Sequence, residues 1–405
     1  MSLTRRTMLG TAAATGATLP LIGRARAAET IKIGVLNDMS GPYRDTGGPT
    51  SLAMVKLAAA EFAAKGFTVE VISGDHQNKP DVGVSIARQW YDRDGVDMII
   101  GVPTSSVALA VGTVSREKNK AYINIGAGTT ELTGKQCSPT LIQWDYDTYM
   151  LARSTGGATV KSGGTSWYFI SADYAFGQQL QKDTTRFVNE AGGKVLGSIA
   201  YPFPGTTDFS SFLLQAQASG AKVLGLCNAG DDTVNCIKQA KEFGVQMQLA
   251  GMLMLINSVH ALGLKVAQGL LLTESFYWDM NDRTRAFTKR ALTVSDGVYP
   301  NMIHAGNYSG TLHFLKAVTA MGVANAKKSG TAIIEQMKKM PTDDDALGHG
   351  KIREDGRGMF NAYLFEVKKP SESKGPWDYY TLKATTPPDQ AFRSLKEGAC
   401  SFVKT

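Results

Sequence analysis

The stretch Ile31-Lys32-Ile33-Gly34-Val35-Leu36, followed by Asn37-Asp38-Met39-Ser40-Gly41-Pro42-Tyr43, decides the fold. A short apolar run bounded by small, polar and turn-forming residues reads as a buried strand with its exit loop. The pattern Thr50–Ala64 beyond it reads as a helix. The same unit repeats along the chain. Further strands are expected at Thr68–Ser73, Met98–Gly101, Ala121–Ile125, Trp167–Ser171, Val195–Ala200, Val223–Cys227 and Gly269–Thr273. Helices are expected between them, at Asp81–Asp92, Ser105–Lys118, Thr148–Val160, Phe176–Glu190, Phe209–Ser219 and Thr233–Phe243. This alternation predicts an α/β protein with parallel sheets covered by helices on both faces.

The number of units predicts two sheets, each the centre of a lobe. Lobe one is expected over 29–147 and lobe two over 148–278. The helical stretches Thr284–Val294, Tyr308–Met321 and Thr331–Met340 return to lobe one, as 279–346, and a late strand Met359–Val367 returns to lobe two, as 347–370. After Pro370 the composition shifts to Pro, Ser, Lys and Tyr, so 371–405 is expected as an extended tail strapped over the surface.

The 405 residues are 43% hydrophobic and 20% charged, a globular composition. The formal charge of +7 is misleading, because residues 1–28 carry Arg5, Arg6, Arg24 and Arg26 and no acid. Without them 39 basic residues face 36 acidic ones, a charge of +3. No basic run with interleaved aromatics occurs, so nucleic acid is not an expected partner. Residues 1–28 read as an export signal. A positive start with paired arginines resembles a twin-arginine signal, an ordinary secretory signal being the alternative. It is followed by a weakly apolar stretch and the small-x-small pattern Ala25-Arg26-Ala27. Cleavage near Ala27 and a soluble periplasmic protein of a Gram-negative bacterium follow as expectations. In that oxidising compartment a Cys137–Cys400 disulfide would pin the tail to the body, whereas Cys227 and Cys236 read as two buried thiols rather than a pair.

Catalytic patterns are lacking. There is no Gly-x-Ser-x-Gly, His-Glu-x-x-His or P-loop, and Gly126-Ala127-Gly128-Thr129-Thr130-Glu131 lacks the third glycine of a dinucleotide fingerprint. No enzyme activity, metal or cofactor is therefore expected. What stands out is a set of small, polar or aromatic residues just after the strands, where open α/β sheets bind ligands. These are Tyr43; Thr104, Ser105 and Ser106; Gly126, Ala127, Gly128 and Thr129; Tyr174 and Phe176; Asn228, Ala229 and Asp231; Met252; and Tyr277. Thr104–Ser106 open a helix whose unpaired N–H groups favour an anion. Each residue alone could be a helix cap or core filling, but five strand ends together predict a cleft.

Several segments, in order, resemble the periplasmic solute-binding proteins of the branched-chain amino-acid family, which serve ABC importers. They are Ile31–Leu36 with Met39-Ser40-Gly41-Pro42, Gly126-Ala127 before Glu131-Leu132, and Asp173-Tyr174-Ala175-Phe176-Gly177. Thr207-Asp208-Phe209-Ser210, Lys238-Gln239-Ala240 with Phe243-Gly244, and Gln268-Gly269-Leu270 extend the resemblance over about 30–370. It implies two Rossmann-like lobes joined by three crossovers, a monomer, and membrane permease partners. It also implies a ligand carboxylate held at Thr104, Ser105 and the Gly126–Thr129 loop, under a covering Tyr174. Two positions depart from the family pattern. Gly128 stands where an amine-binding threonine is common, and Gly251-Met252-Leu253-Met254-Leu255 has no acid to meet an ammonium. Because an unpaired buried ammonium costs several kcal/mol, the expected solute is an aliphatic or aromatic organic acid. An amino acid or amide is the alternative, with Asp231 or Asp232 as the amine's partner. A sensing module of the same architecture is a further reading.

Overall fold

The computed structural model describes residues 29–63 and 66–404. The export signal expected at 1–28 lies outside them. The first sheet contains β1 (Glu29–Asn37), β2 (Phe67–Asp75), β3 (Met98–Gly101), β4 (Ala121–Asn124) and β5 (Leu141–Gln143), all parallel in the order β2-β1-β3-β4-β5. The helices α1 (Gly48–Phe62), α2 (Pro80–Asp92) and α3 (Ser105–Lys118) connect its first four strands. Ile31, Ile33, Val35 and Leu36 of β1 are fully buried, as a strand covered on both faces requires.

The chain then crosses to a second lobe through a broken helix: α4 (Thr148–Leu151), a π turn (Ala152–Gly156) and α5 (Gly157–Lys161). One regular helix was expected there. The Gly156–Gly157 pair and the Thr155 hydroxyl, 2.9 Å from the Thr273 hydroxyl, favour the wider turn. The second sheet contains β6 (Ser166–Ala172), β7 (Lys194–Tyr201), β8 (Val223–Cys227) and β9 (Gln248–Gly251), parallel in the order β7-β6-β8-β9. Its helices are α6 (Ala175–Glu190), α7 (Ser210–Ala218), α8 (Gly230–Glu242), α9 (Ile256–Leu262) and α10 (Leu264–Ala267).

Strand β10 (Leu271–Glu274) corrects the expectation, because it does not extend a parallel sheet. After it come α11 (Asp282–Ala291), α12 (Met302–Met321), α13 (Val323–Lys328), α14 (Gly330–Lys339) and the antiparallel ladder of β11 (Lys351–Ile352) and β12 (Gly358–Met359). Then β13 (Ala362–Val367) pairs antiparallel with β10, and β14 (Tyr380–Thr386) pairs antiparallel with β13. The tail is thus a strand, followed by two short helices, α15 (Pro388–Ala391) and α16 (Leu395–Gly398), rather than simply extended. Helix α12 packs on lobe one, with Gly306 and Gly310 close to Ile123 and Ile125. Among the described residues no helix is long and apolar enough to cross a membrane.

Three segments join the lobes, and they are bonded to one another. The Gln143 N–H donates to the Gly356 carbonyl (2.9 Å), and Arg357 donates through Nη1 to the Tyr146 carbonyl (3.1 Å). The Ser275 hydroxyl donates to Asp145. Arg357 is fully buried, with Asp147 3.8 Å away. Burial pushes the Asp145 carboxyl up to about 7 and that of Glu274 up to about 8.

Candidate functional site

The cleft lies where the carboxyl ends of both parallel sheets face one another. Lobe one contributes the loop after β1, the start of α3 and the loop after β4. Lobe two contributes the starts of α6 and α8 and the segment after β9. The first loop is shaped by Asp38, a buried side chain that sequence reasoning passed over. Its carboxylate accepts from the N–H groups of Gly41 (2.7 Å) and Tyr43 (2.9 Å) and from Asn78 Nδ2 (2.6 Å). Those bonds aim Tyr43 across the cleft.

The Tyr43 and Tyr174 hydroxyls meet at 2.5 Å, one from each lobe. Phe203 stacks on both rings, at centroid distances of 5.3 and 4.4 Å. Burial, with each phenol's neighbours, raises the Tyr43 pKa well above its usual value, and burial raises that of Tyr174 too, so both stay protonated. A second contact joins the Asp231 N–H to the Pro42 carbonyl (3.1 Å). Between these contacts the lobes leave about 10 Å³ for the centre of a water-sized sphere, room for one water. A solute enters only when the lobes part.

Of the residues singled out in the sequence, Tyr43, Gly126, Tyr174, Phe176 and Ala229 line this space. Gly128 borders Phe176 and Tyr146 closely. The hydroxyls of the α3 start are occupied within lobe one. Thr104 donates to Asn78, and Ser105 Oγ accepts from the Thr129 N–H at 3.2 Å. No side chain caps the first turn of α3, so its leading N–H groups stay available to an anion. Ser106 is half-buried on that turn. Ala127 and Thr129 are buried behind the loop, their carbonyls held by Gln143 Nε2 at 2.8 and 3.1 Å.

Other expected residues lie off the cleft. Asn228 is buried, accepting from the Thr233 hydroxyl at 2.7 Å. Met252 is buried, its N–H on the Leu226 carbonyl of β8 at 3.2 Å, and its neighbours Leu253 and Leu255 line the cleft instead. Tyr277 packs on Tyr380 and Phe365, beneath the tail. The Asp231 side chain is exposed. Asp232 is buried and accepts from the Tyr201 hydroxyl at 2.7 Å, and burial lifts its pKa to about 6. Lining residues missed from the sequence are Thr46, Pro103, Tyr146, Gly230 and Ile303, besides the two leucines. Of these, Tyr146 belongs to a crossing segment and donates to the Gly126 carbonyl at 2.5 Å. Among the described lining residues none is an acid. The disulfide Cys137–Cys400 is formed, and Cys227 and Cys236 are separate buried thiols.

Two parallel-stranded lobes around an aromatic cleft define a ligand-binding protein of the hinged, two-lobe class. Residues 30–376 match the periplasmic binding protein family model, and the chain belongs to that family. A periplasmic binding protein from Burkholderia mallei shares 48% identity at a TM-score of 0.89, covering 93% of this chain and 100% of its own. A branched chain amino acid ABC transporter periplasmic ligand-binding protein from Burkholderia xenovorans LB400 shares 38% identity at a TM-score of 0.79, covering 92% and 99%. Leu/Ile/Val-binding protein homolog 6 of Brucella melitensis biotype 1 is 25% identical over 394 residues, covering 94% of this chain and 97% of its own.

Proposed function

We propose that this periplasmic binding protein captures a small carboxylate-bearing solute, aliphatic or aromatic, and delivers it to the permease of an ABC importer after export through its leader. The single observation that carries the reading is the lining itself: phenol, phenyl and aliphatic side chains with one threonine, Thr46, and no acid. An α-ammonium buried there would have no charged partner, at a cost of several kcal/mol. A carboxylate would have the uncapped start of α3 and the Gly126–Thr129 loop. The ligand stabilises the closed lobes because it touches both of them in that state alone.

The name of the Burkholderia xenovorans relative favours a second reading, a branched-chain amino acid. Thermal unfolding separates the two. The mature protein is melted with benzoate, 4-methylpentanoate, leucine, valine and isobutyramide. A ligand at about 1,000 times its Kd adds roughly 4 kcal/mol of stability. Shifts with the acids and none with leucine or valine are expected. A shift with leucine but not with 4-methylpentanoate, the same skeleton without the amine, overturns the reading.

A further inference from the structure

The tail is attached to both lobes. On lobe two, β14 is paired along β13 as far as Thr386 opposite Ala362, just past the third crossing segment. The chain then passes over the hinge. The Arg357 guanidinium lies 4.6 Å above the Phe392 ring, and Arg353 Nη1 donates to the Arg393 carbonyl at 2.9 Å. On lobe one, Arg393 donates to the Thr130 carbonyl. Thr130 directly follows the cleft loop Gly126–Thr129. Helix α16 sits on the turn Thr130–Thr133, with Gly398 close to the Thr133 carbonyl. Cys400 is bonded to Cys137, which follows that turn. Glu397 also reaches Arg186 of α6 at 3.0 Å, and α6 begins beside Tyr174 and Phe176.

We propose that residues 387–400 form a fourth connection between the lobes, closed covalently by Cys137–Cys400, that limits how far the cleft opens and braces the Gly126–Thr129 loop from behind. Three crossing segments side by side act as a hinge, about which the lobes turn freely. A fourth length of chain, anchored on β14 of lobe two, on Arg353 and Arg357 of the third crossing segment and on the Thr130–Thr133 turn and Cys137 of lobe one, adds a constraint on that rotation. The half-exposed Arg186–Glu397 pair adds little energy by itself. The restraint rests on the disulfide, on the buried Phe392 against Arg357, and on Arg393 at Thr130. Phe392 and Arg393 are thus positioning residues for the cleft loop. This inference rests on the hinge-closure reading of the site.

Two variants test it. Cys137→Ser/Cys400→Ser cuts the connection, and a short Gly-Ser insertion after Thr386 slackens it with the disulfide intact. Both are measured without ligand, well below their melting temperatures, by small-angle X-ray scattering and by hydrogen exchange of amides 126–133. Expected are a rise of about 0.5–1 Å in radius of gyration over the ~21 Å of a compact chain of this length, and about tenfold faster exchange in the loop. If both variants keep the wild-type radius and exchange while melting earlier, the tail is only a stability staple and the proposal is overturned. Should the serine variant not fold, the insertion alone decides. Because no ligand is present, this outcome is independent of the solute panel: a failed panel beside a positive scattering result removes the ligand reading only.

Discussion

Replacing Gly230 by alanine should stop the lobes from closing fully. Gly230 has φ +58°, and a Cβ there would stand 2.2 Å from the Pro42 carbonyl and 3.0 Å from Tyr43 Cδ1, both in the facing lobe. A backbone oxygen cannot swing away, so the lobes themselves must separate. That separation breaks the 3.1 Å bond from the Asp231 N–H to Pro42, worth about 1 kcal/mol. Overpacking adds about 1–3 kcal/mol. The closed state thus loses about 2–4 kcal/mol, a drop of roughly 30- to 1,000-fold in affinity at 1.4 kcal/mol per decade. The left-handed backbone costs an alanine a further ~1–2 kcal/mol, but open and closed forms share that cost, so it lowers melting and not affinity. Gly244, just beyond the other end of α8, has φ +64° and nothing within 4 Å of its would-be Cβ. Gly244→Ala is therefore the control, with a similar fall in melting temperature and unchanged affinity. Calorimetric titration uses the panel solute that raises the melt most. Equal affinities for wild type and Gly230→Ala, or an equal loss in Gly244→Ala, would refute the reasoning.

Tyr43→Phe removes one of the two hydroxyls that meet across the cleft and should weaken binding about fivefold, the worth of one neutral hydrogen bond, as read by the same titration. Arg357→Met leaves Asp145 and Asp147 buried without their cation, and chemical denaturation should show a loss of about 3–5 kcal/mol. Asp145 has its folded pKa raised to about 7 by burial, so the folded state binds more protons than the unfolded chain between pH ~4 and 7. Its contribution to stability is full below that window and falls as pH rises through it. The stability of wild type relative to Asp145→Asn, read from melts, should therefore fall from pH 4 to 7.5, and a constant difference would contradict the assignment.

Strands β3 and β8 and helix α3 were readable to the residue, because each is an apolar run or an amphipathic repeat ended by Gly, Asn or a polar turn. Strand β5 has three residues, and β9, Gln248-Leu249-Ala250-Gly251, has only two apolar ones between a polar residue and a glycine, so neither carries an apolar run like that of β3, and they are set by their neighbours. Strand β14 has five exposed residues in a row, so nothing in its hydropathy marks it as a strand. In the site, Tyr43, Gly126, Tyr174, Phe176 and Ala229 were readable because the loop after a parallel strand faces the cleft whatever the rest of the chain does. Tyr277 shows where that rule ends: β10 is antiparallel, and the loop after it meets the tail. Met252 was off by one position, since alternation past β9 sends Leu253 and Leu255 toward the cleft. Tyr146 and Ile303 arrive from a crossing segment and from α12, and no local pattern connects them to the strand ends.

Helix α12 has a consequence for the birth of the chain. Fifteen of its residues are buried, and the Asn307 side chain donates to the Ser51 hydroxyl across 256 positions (3.1 Å). Domains tend to fold as units during synthesis, and the second sheet, with its helices, is one uninterrupted run of sequence. The first sheet emerges earlier yet stays bare on its α12 face until residues 302–321 follow. The lobe begun first is therefore sealed late, and a ribosome that stalls after β10 would present a finished second parallel sheet, still without β13 and β14, beside an unsealed, aggregation-prone first one.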